Sequence, residues 1–332
     1  MDMPEAAMSK ILKDSLGRTI DYLRISVTDR CSLRCIYCMP EVPGSPPAFL
    51  PEEELLTTEE WLAFARAAAM AGIRKIRLTG GEPLMRRDLP EMVRSISALP
   101  QVEQVVMTTN GVGLARNIDK LKAAGLSGVN VSLDSLDSGC YRQIAGSDRM
   151  EEALEGIRAC LALGLPVKIN CVPVRGINDS QWIPLAALAK EWPVQVRFIE
   201  MMPIGGGKAF PPVENSRIRE LLEQEFGPMT PAPAGKRQGP AQVWKVHGFA
   251  GSVGFISAVS CGCCSTCNRI RATADGKIKL CLHHQANGDV RGLLRMGKGP
   301  EEICRWLQAL VLEKPGDGAR TDESRPMWKI GG

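Results

Sequence analysis

The chain has 332 residues, 44% of them hydrophobic and 23% charged, and carries a net charge of +4 at neutral pH. That length holds one large α/β unit and a smaller module, and the charge is too mild for a nucleic-acid binder. No apolar run is long enough to span a bilayer, and the first 20 residues have neither the apolar core of a secretory leader nor an Arg/Ser-rich transit pattern. A cytoplasmic enzyme is expected, with no membrane or nucleic-acid partner.

Residues 1–17 read as an extension ahead of the first strand. From Leu23 to about Met202, strand-period and helix-period segments alternate. Strands are predicted over Leu23–Thr28, Arg74–Thr79, Gln104–Thr109, Gly128–Asp134, Pro166–Val172 and Val194–Glu200. Helical stretches lie between them, such as Thr58–Ala71, whose Trp61, Leu62, Ala65, Ala68 and Ala69 fall on one stripe. Thr57, with Glu60 three residues on, forms a capping box for that helix. Six βα units in succession require a parallel sheet, either doubly wound or curved into part of a barrel.

The strands alternate in polarity. Arg24, Ser26 and Thr28 oppose Leu23, Ile25 and Val27; Lys75, Arg77 and Thr79 oppose Ile76 and Leu78. The pattern repeats with Asn130, Ser132 and Asp134, with Lys168 and Asn170, and with Arg197. Parallel strands buried on both faces read instead as near-continuous apolar runs, and a closed eight-stranded barrel fills its interior with apolar side chains. One face of this sheet is therefore expected to lie under the helices. The other is expected to form a wide, polar, cationic cavity suited to an anionic small molecule; the alternative is a sheet whose polar face lies in plain solvent.

After Met202 the pattern changes. Pro228–Pro240 reads as a loop, followed by short strands near Gln242–His247 and Ser252–Ala258, a hairpin about Asp275-Gly276 and a helix near Glu301–Leu312. The expected units are thus 1–17, 18–227 and 228–332.

Twelve cysteines are many for a reducing compartment, where a disulfide framework is not expected. Cys160 sits on the apolar stripe of a helix and reads as core. Cys31-x3-Cys35-x2-Cys38 directly follows the first strand. Three thiolates on a short loop hold three corners of a four-iron, four-sulfur cluster and leave the fourth iron open. A structural zinc site needs a fourth ligand, and residues 24–60 offer no other Cys or His. Cys264-x2-Cys267-x13-Cys281 again supplies three thiolates, but His283 and His284 follow, so spacing alone leaves zinc and a second cluster open.

The first triad, with Tyr37 before its third cysteine and Gly80-Gly81-Glu82-Pro83 after the second strand, resembles the radical S-adenosylmethionine superfamily. Three longer stretches resemble the GTP 3′,8-cyclase family of molybdenum-cofactor biosynthesis. These are Leu23 to Cys31, Ile76 to Arg86, and Cys264-Ser265-Thr266-Cys267-Asn268-Arg269-Ile270-Arg271 with Ala274 to Lys277 and Cys281-Leu282. The terminal Gly331-Gly332 matches too, and the likeness runs from about residue 16 to the end.

The resemblance implies an incomplete (βα)6 parallel barrel of radical SAM type with a smaller C-terminal iron–sulfur domain. It implies two [4Fe-4S] clusters, one on Cys31, Cys35 and Cys38 and one on Cys264, Cys267 and Cys281. Tyr37, Gly81, Ser132 and Met202 match S-adenosylmethionine contacts. Arg24, Lys75, Arg77, Thr108, Lys168, Arg197, Arg269, Ile270 and Arg271 match positions that bind GTP, and Arg269, Arg271, Gly331 and Gly332 match catalytic ones. The reaction implied begins with a 5′-deoxyadenosyl radical taking hydrogen from ribose C3′; the C3′ radical then closes on guanine C8. It needs an external one-electron reductant, and its product passes to a cyclic pyranopterin monophosphate synthase. A homodimer is a further expectation. Cys261 and Cys263 stand outside the family pattern, and Cys261-x2-Cys264 is a competing register. The Asn-Arg-Ile-Arg that follows in step selects Cys264, Cys267 and Cys281. The stretch Lys314–Ser324 matches only loosely. The alternatives are a radical S-adenosylmethionine peptide-modifying enzyme, a zinc-stabilised nucleic-acid-binding protein, and a family member that has lost activity.

Overall fold

Alternating polarity along six predicted strands becomes one sheet with helices on its apolar face. The computed structural model describes residues 11–39, 46–233, 239–260, 264–316 and 325–331. The first half runs β1 (Tyr22–Ser26), α1 (Thr58–Ala71), β2 (Lys75–Thr79), α2 (Leu89–Ser97), β3 (Gln104–Thr109), α3 (Leu114–Ala123), β4 (Val129–Ser132), α4 (Ser138–Ala145), α5 (Met150–Ala162), β5 (Val167–Cys171), α6 (Trp182–Glu191) and β6 (Gln195–Ile199). The rest runs α7 (Asn215–Phe226), β7 (Met229–Pro231), β8 (Gln242–Val246), β9 (Ser252–Ile256), β10 (Arg269–Ala272), β11 (Lys277–Lys279), β12 (Gly288–Asp289), α8 (Val290–Arg295), α9 (Pro300–Val311) and α10 (Met327–Ile330).

β1 to β6 pair side by side in chain order, all parallel. The sheet continues past both ends of this set. β9 adds to β6 and β10 to β1, each parallel to its neighbour. Antiparallel β8 and β7 finish one side, and β11 and β12 the other. The chain after Gly227 therefore extends the same sheet at both edges, covering backbone groups that β1 and β6 would otherwise expose.

Helix α1 starts where its capping box predicts. The Thr57 hydroxyl accepts the Glu60 N–H at 3.2 Å and the Glu60 carboxylate accepts the Thr57 N–H at 2.9 Å. Its Trp61, Phe64, Ala65 and Ala68 are fully buried, and it packs against α2 and α9. Leu23, Ile25, Ile76, Leu78, Val131, Ile169, Val196 and Phe198 form the sheet's side of the core; each stabilises the fold by roughly 1.5–3 kcal/mol. Cys160 is core as expected. The hairpin at Asp275-Gly276 joins β10 to β11, with Gly276 at a φ of 76°. One expectation needs correction: the stretch read as the Pro228–Pro240 loop begins with β7, whose Pro231 is tolerated on an edge strand. Among the described residues, no helix is long and apolar enough to cross a membrane.

Candidate active site

Side chains from β1–β6, β9 and β10 line one cavity of about 520 Å³. Eight flat strands would span about 34 Å at 4.8 Å per step, so strands that share one cavity must wrap around it. This is the face that alternation predicts. Its lining includes Arg24, Lys75, Arg77, Thr108, Ser132, Arg197, Arg269 and Arg271.

The two cysteine triads reach this cavity from opposite ends of the strands. Cys31, Cys35 and Cys38 follow the C-terminal end of β1 and line the cavity there. β10 runs parallel to β1, and Cys264 and Cys267 precede its N-terminal end. β11 returns antiparallel along β10 with Lys279 beside Arg271, so Cys281 comes back to that same end. All three of these also line the cavity. Between the triads lies the length of a five-residue strand, roughly 16 Å.

The loop of the first triad is held by backbone bonds. Arg34 N–H donates to Ala145 O at 2.9 Å, Ile36 N–H to Ile144 O at 3.0 Å, and Cys38 N–H to Cys35 O at 2.9 Å. Burial and the neighbouring thiols raise Cys35; burial and Cys31 push Cys38 up to about 12. Thiols this close can all ionise only against added positive charge, which an iron–sulfur cluster brings. The Tyr37 hydroxyl donates to Asp134 at 2.6 Å. Gly81 presses on the same loop: its N–H donates to Thr28 O at 2.7 Å, and a Cβ there would lie 2.3 Å from Arg30 O. The buried Glu82 carboxylate pins this turn to β3, accepting from Asn110 N–H and the Thr109 hydroxyl, each at 2.7 Å. Burial nevertheless pushes Glu82 up to about 7.

At the other end the electrostatics differ. Burial opposes ionisation of Cys267, but Arg269 and Lys314 outweigh it and bring the thiol down to about 7. Such a thiol is ready to serve as a thiolate ligand. His283 lines the cavity nearby. Among the described residues, no three His, Cys, Asp or Glu side chains are placed to hold a single ion. A four-iron cluster seats each thiolate on a different iron and needs the sulfurs farther apart. The donor sets of both triads fit such a group. Cys261 and Cys263 lie outside the described residues.

The strand register stacks the cations in tiers. Tyr22 is level with Lys75 and Arg269, and Arg24 with Arg77 and Arg271. Burial and mutual repulsion lower Arg24, bring Arg271 down to about 10 and bring Arg197 down to about 9. Lys168 is not part of the lining, yet burial together with Arg197, Lys75 and Arg77 takes it to about 8. Cations that depress one another in this way are waiting for an anion. Arg77 donates to the Thr108 hydroxyl at 2.9 Å, and Arg197 to Asn170 Oδ1 at 2.6 and 2.9 Å. Met202 lines the cavity. The Ile270 side chain does not; it is fully buried in the core on the other face of β10.

The C-terminal tail is tied down. Trp328 is buried and meets Phe49 edge-on, their ring centres 5.6 Å apart. Gly331 adopts a left-handed φ of 75°, its carbonyl accepts from Arg271 at 2.6 Å, and a Cβ would sit 3.0 Å from that of Ser26. Gly332 lies outside the described residues.

Residues 25–189 match the Radical SAM superfamily, and residues 194–319 match Molybdenum Cofactor Synthesis C. The chain is 43% identical over 329 residues to a GTP 3′,8-cyclase of Moorella thermoacetica, spanning 97% of this chain and 100% of that one. It is 38% identical over 326 residues to a GTP 3′,8-cyclase of Clostridium perfringens, again over 97% of this chain and 100% of the other.

The chain belongs to the GTP 3′,8-cyclase family.

Its place in the radical SAM superfamily implies S-adenosylmethionine and an iron–sulfur cluster. A crystal structure of Streptococcus suis SuiB bound to precursor peptide SuiA aligns with a TM-score of 0.61 at 14% identity, covering 89% of this chain and 68% of that one. That likeness concerns the fold alone.

Sequence reasoning missed several residues of this site. Tyr22 lines the cavity and is buried; Arg77 Nε–H donates to its hydroxyl, and the Lys75 ammonium sits 5.3 Å from its ring centre. Burial opposes its ionisation, but Arg77, Arg24 and Lys75 bring it down to about 7. Its place two residues before Arg24 on the same strand was the available signal. Glu200, buried at the end of β6, accepts the N–H groups of Val259 and Ser260, each at 2.9 Å. It thereby fixes the stretch that leads to the second cysteine group.

Proposed function

We infer that this chain converts GTP to its 3′,8-cyclised dihydro nucleotide, the first step of molybdenum-cofactor biosynthesis. The observation that carries the reading is a cationic cavity with a cysteine triad at each end, in a chain that matches GTP 3′,8-cyclases along nearly its whole length. Cys31, Cys35 and Cys38 hold the first cluster, beside which Tyr37, Gly81, Ser132 and Met202 seat S-adenosylmethionine. When bound, these two supply the one-electron chemistry that removes a hydrogen atom from the substrate. Cys264, Cys267 and Cys281 would hold a second four-iron cluster, at the end of the cavity where the guanine would bind. Arg24, Lys75, Arg77, Lys168 and Arg197 hold the triphosphate with Thr108; Arg forks suit phosphate oxygens. Arg269, Arg271 and the Gly331-Gly332 tail fix the ribose and base so that C3′ faces C8, and most of the advantage of ring closure comes from that fixed geometry. The electron consumed comes from an external one-electron donor, and the product goes to a cyclic pyranopterin monophosphate synthase.

The test is anaerobic reconstitution followed by measurement of 5′-deoxyadenosine with S-adenosylmethionine and a reductant, with and without GTP. The expected result is strongly GTP-dependent formation and a nucleotide product of unchanged mass. Formation indifferent to GTP overturns the substrate assignment. None at all, with clusters intact, overturns the activity.

A further inference from the structure

Lys314 lies where the sequence matches the family only loosely, just after α9, and its side chain is among the most enclosed cations of the molecule. It is 4% exposed and is not part of the cavity lining. Its ammonium donates to Arg269 O at 2.8 Å and to Leu280 O. Arg269 stands two residues after Cys267, and Leu280 stands one before Cys281. One ammonium thus ties together the two backbone stretches that carry two of the second triad's thiols. Burial lowers Lys314, and the Cys267 and Cys281 thiols favour its charged form against that. A second cation completes the arrangement from the other end of the chain. Arg18, held by Asp14 at 2.5 Å, donates to Cys264 O at 2.7 Å and to Pro315 O at 2.7 Å.

We propose that Lys314 is a positioning residue for the second cluster, a built-in counter-charge that seats the Cys267 and Cys281 thiolates and raises the cluster's reduction potential. This rests on the reading that Cys264, Cys267 and Cys281 hold a four-iron cluster. The physical argument is short. Reduction adds one negative charge to a group already held by three thiolates. A buried cation at fixed distance, screened by little water, favours that added charge. Cluster potentials respond to net charge, hydrogen bonding and solvent exposure. Lys314 supplies the first two from outside the cavity, so it leaves the substrate's space untouched.

The experiment uses the full chain carrying Cys31→Ala, Cys35→Ala and Cys38→Ala, reconstituted with iron and sulfide without oxygen. Only the second triad then remains to hold a cluster. A reducible four-iron signal in electron paramagnetic resonance establishes it; absence of that signal in a folded chain overturns the second-cluster reading, and this inference with it. On that background, Lys314→Gln keeps an N–H donor and removes the charge. The expected result is full iron content with a lower midpoint potential, while Lys314→Arg stays near the parent. A Gln variant with the parent's potential overturns the proposal even though the cluster is present. Should Lys314→Gln lose the cluster, Lys314→Arg decides: retention upholds the need for charge, and loss overturns it.

Discussion

Tyr22 shows how a single side chain sets the character of the cavity. Its hydroxyl accepts from Arg77, and its ring lies under Lys75 and Arg77. Once ionised it would be a negative charge among the cations proposed to hold a triphosphate. Binding of a polyanion favours the neutral phenol and the charged Lys168, so affinity is expected to fall as pH rises through about 7 and again through about 8. Tyr22→Phe should remove the first of these falls and leave the second. The size expected for the Tyr22 step is about tenfold in Kd, equivalent to about 1.4 kcal/mol. Calorimetric titration of GTP across this range checks it; a Phe variant with the parent's pH profile would refute Tyr22 as the titrating group. Arg24, Arg77 and Arg197 were legible from strand alternation because an Arg opposite a row of Leu, Ile and Val has only the cavity face to point to. Tyr22 was not, because tyrosine suits a strand in any setting.

At the scale of elements, the proposed first cluster site is a contact between two loops rather than a property of either one. The loop after β1 carries the cysteines, and the turn after β2 carries Gly80 and Gly81. A Cβ on Gly80 would come within 2.5 Å of Thr28 O, and one on Gly81 within 2.3 Å of Arg30 O. Backbone meets backbone at both positions, with no side chain able to swing aside. Gly81→Ala is therefore expected to destabilise the protein by about 1–3 kcal/mol, the range for overpacking, and to lower the iron held by the first triad. Thermal denaturation and iron analysis measure both effects; wild-type stability with full iron would show that the loops part freely. The eight strands and two helices given bounds from sequence, from Tyr22–Ser26 to Pro300–Val311, were placed to within two residues. Periodicity and caps such as Thr57 are local signals. The short Met229–Pro231 strand escaped because a proline-rich edge segment carries no period.

Across the whole molecule, the C-terminal third returns to complete what the first two thirds begin. β10 places Arg269 and Arg271 level with Tyr22 and Arg24, and the tail carries Gly331 back to Ser26, Thr79 and Arg271. Removing the last two glycines takes away the acceptor of Arg271. The expected outcome is 5′-deoxyadenosine formed with little cyclised nucleotide, while iron content stays unchanged. A truncated chain with normal product yield would show that the tail has no part in cyclisation. By itself the sequence determined the βα order, the cationic face, the two thiol triads and the family, because each is written in local spacing or in motif. Only the tertiary structure decided that the triads stand at opposite ends of parallel strands. It also decided that the sheet runs on through β9 and β10, and that Tyr22 and Glu200 line the cavity. Those depend on pairing between residues as much as 247 positions apart, Tyr22 with Arg269 among them, and no local pattern encodes which distant backbone a strand edge will meet.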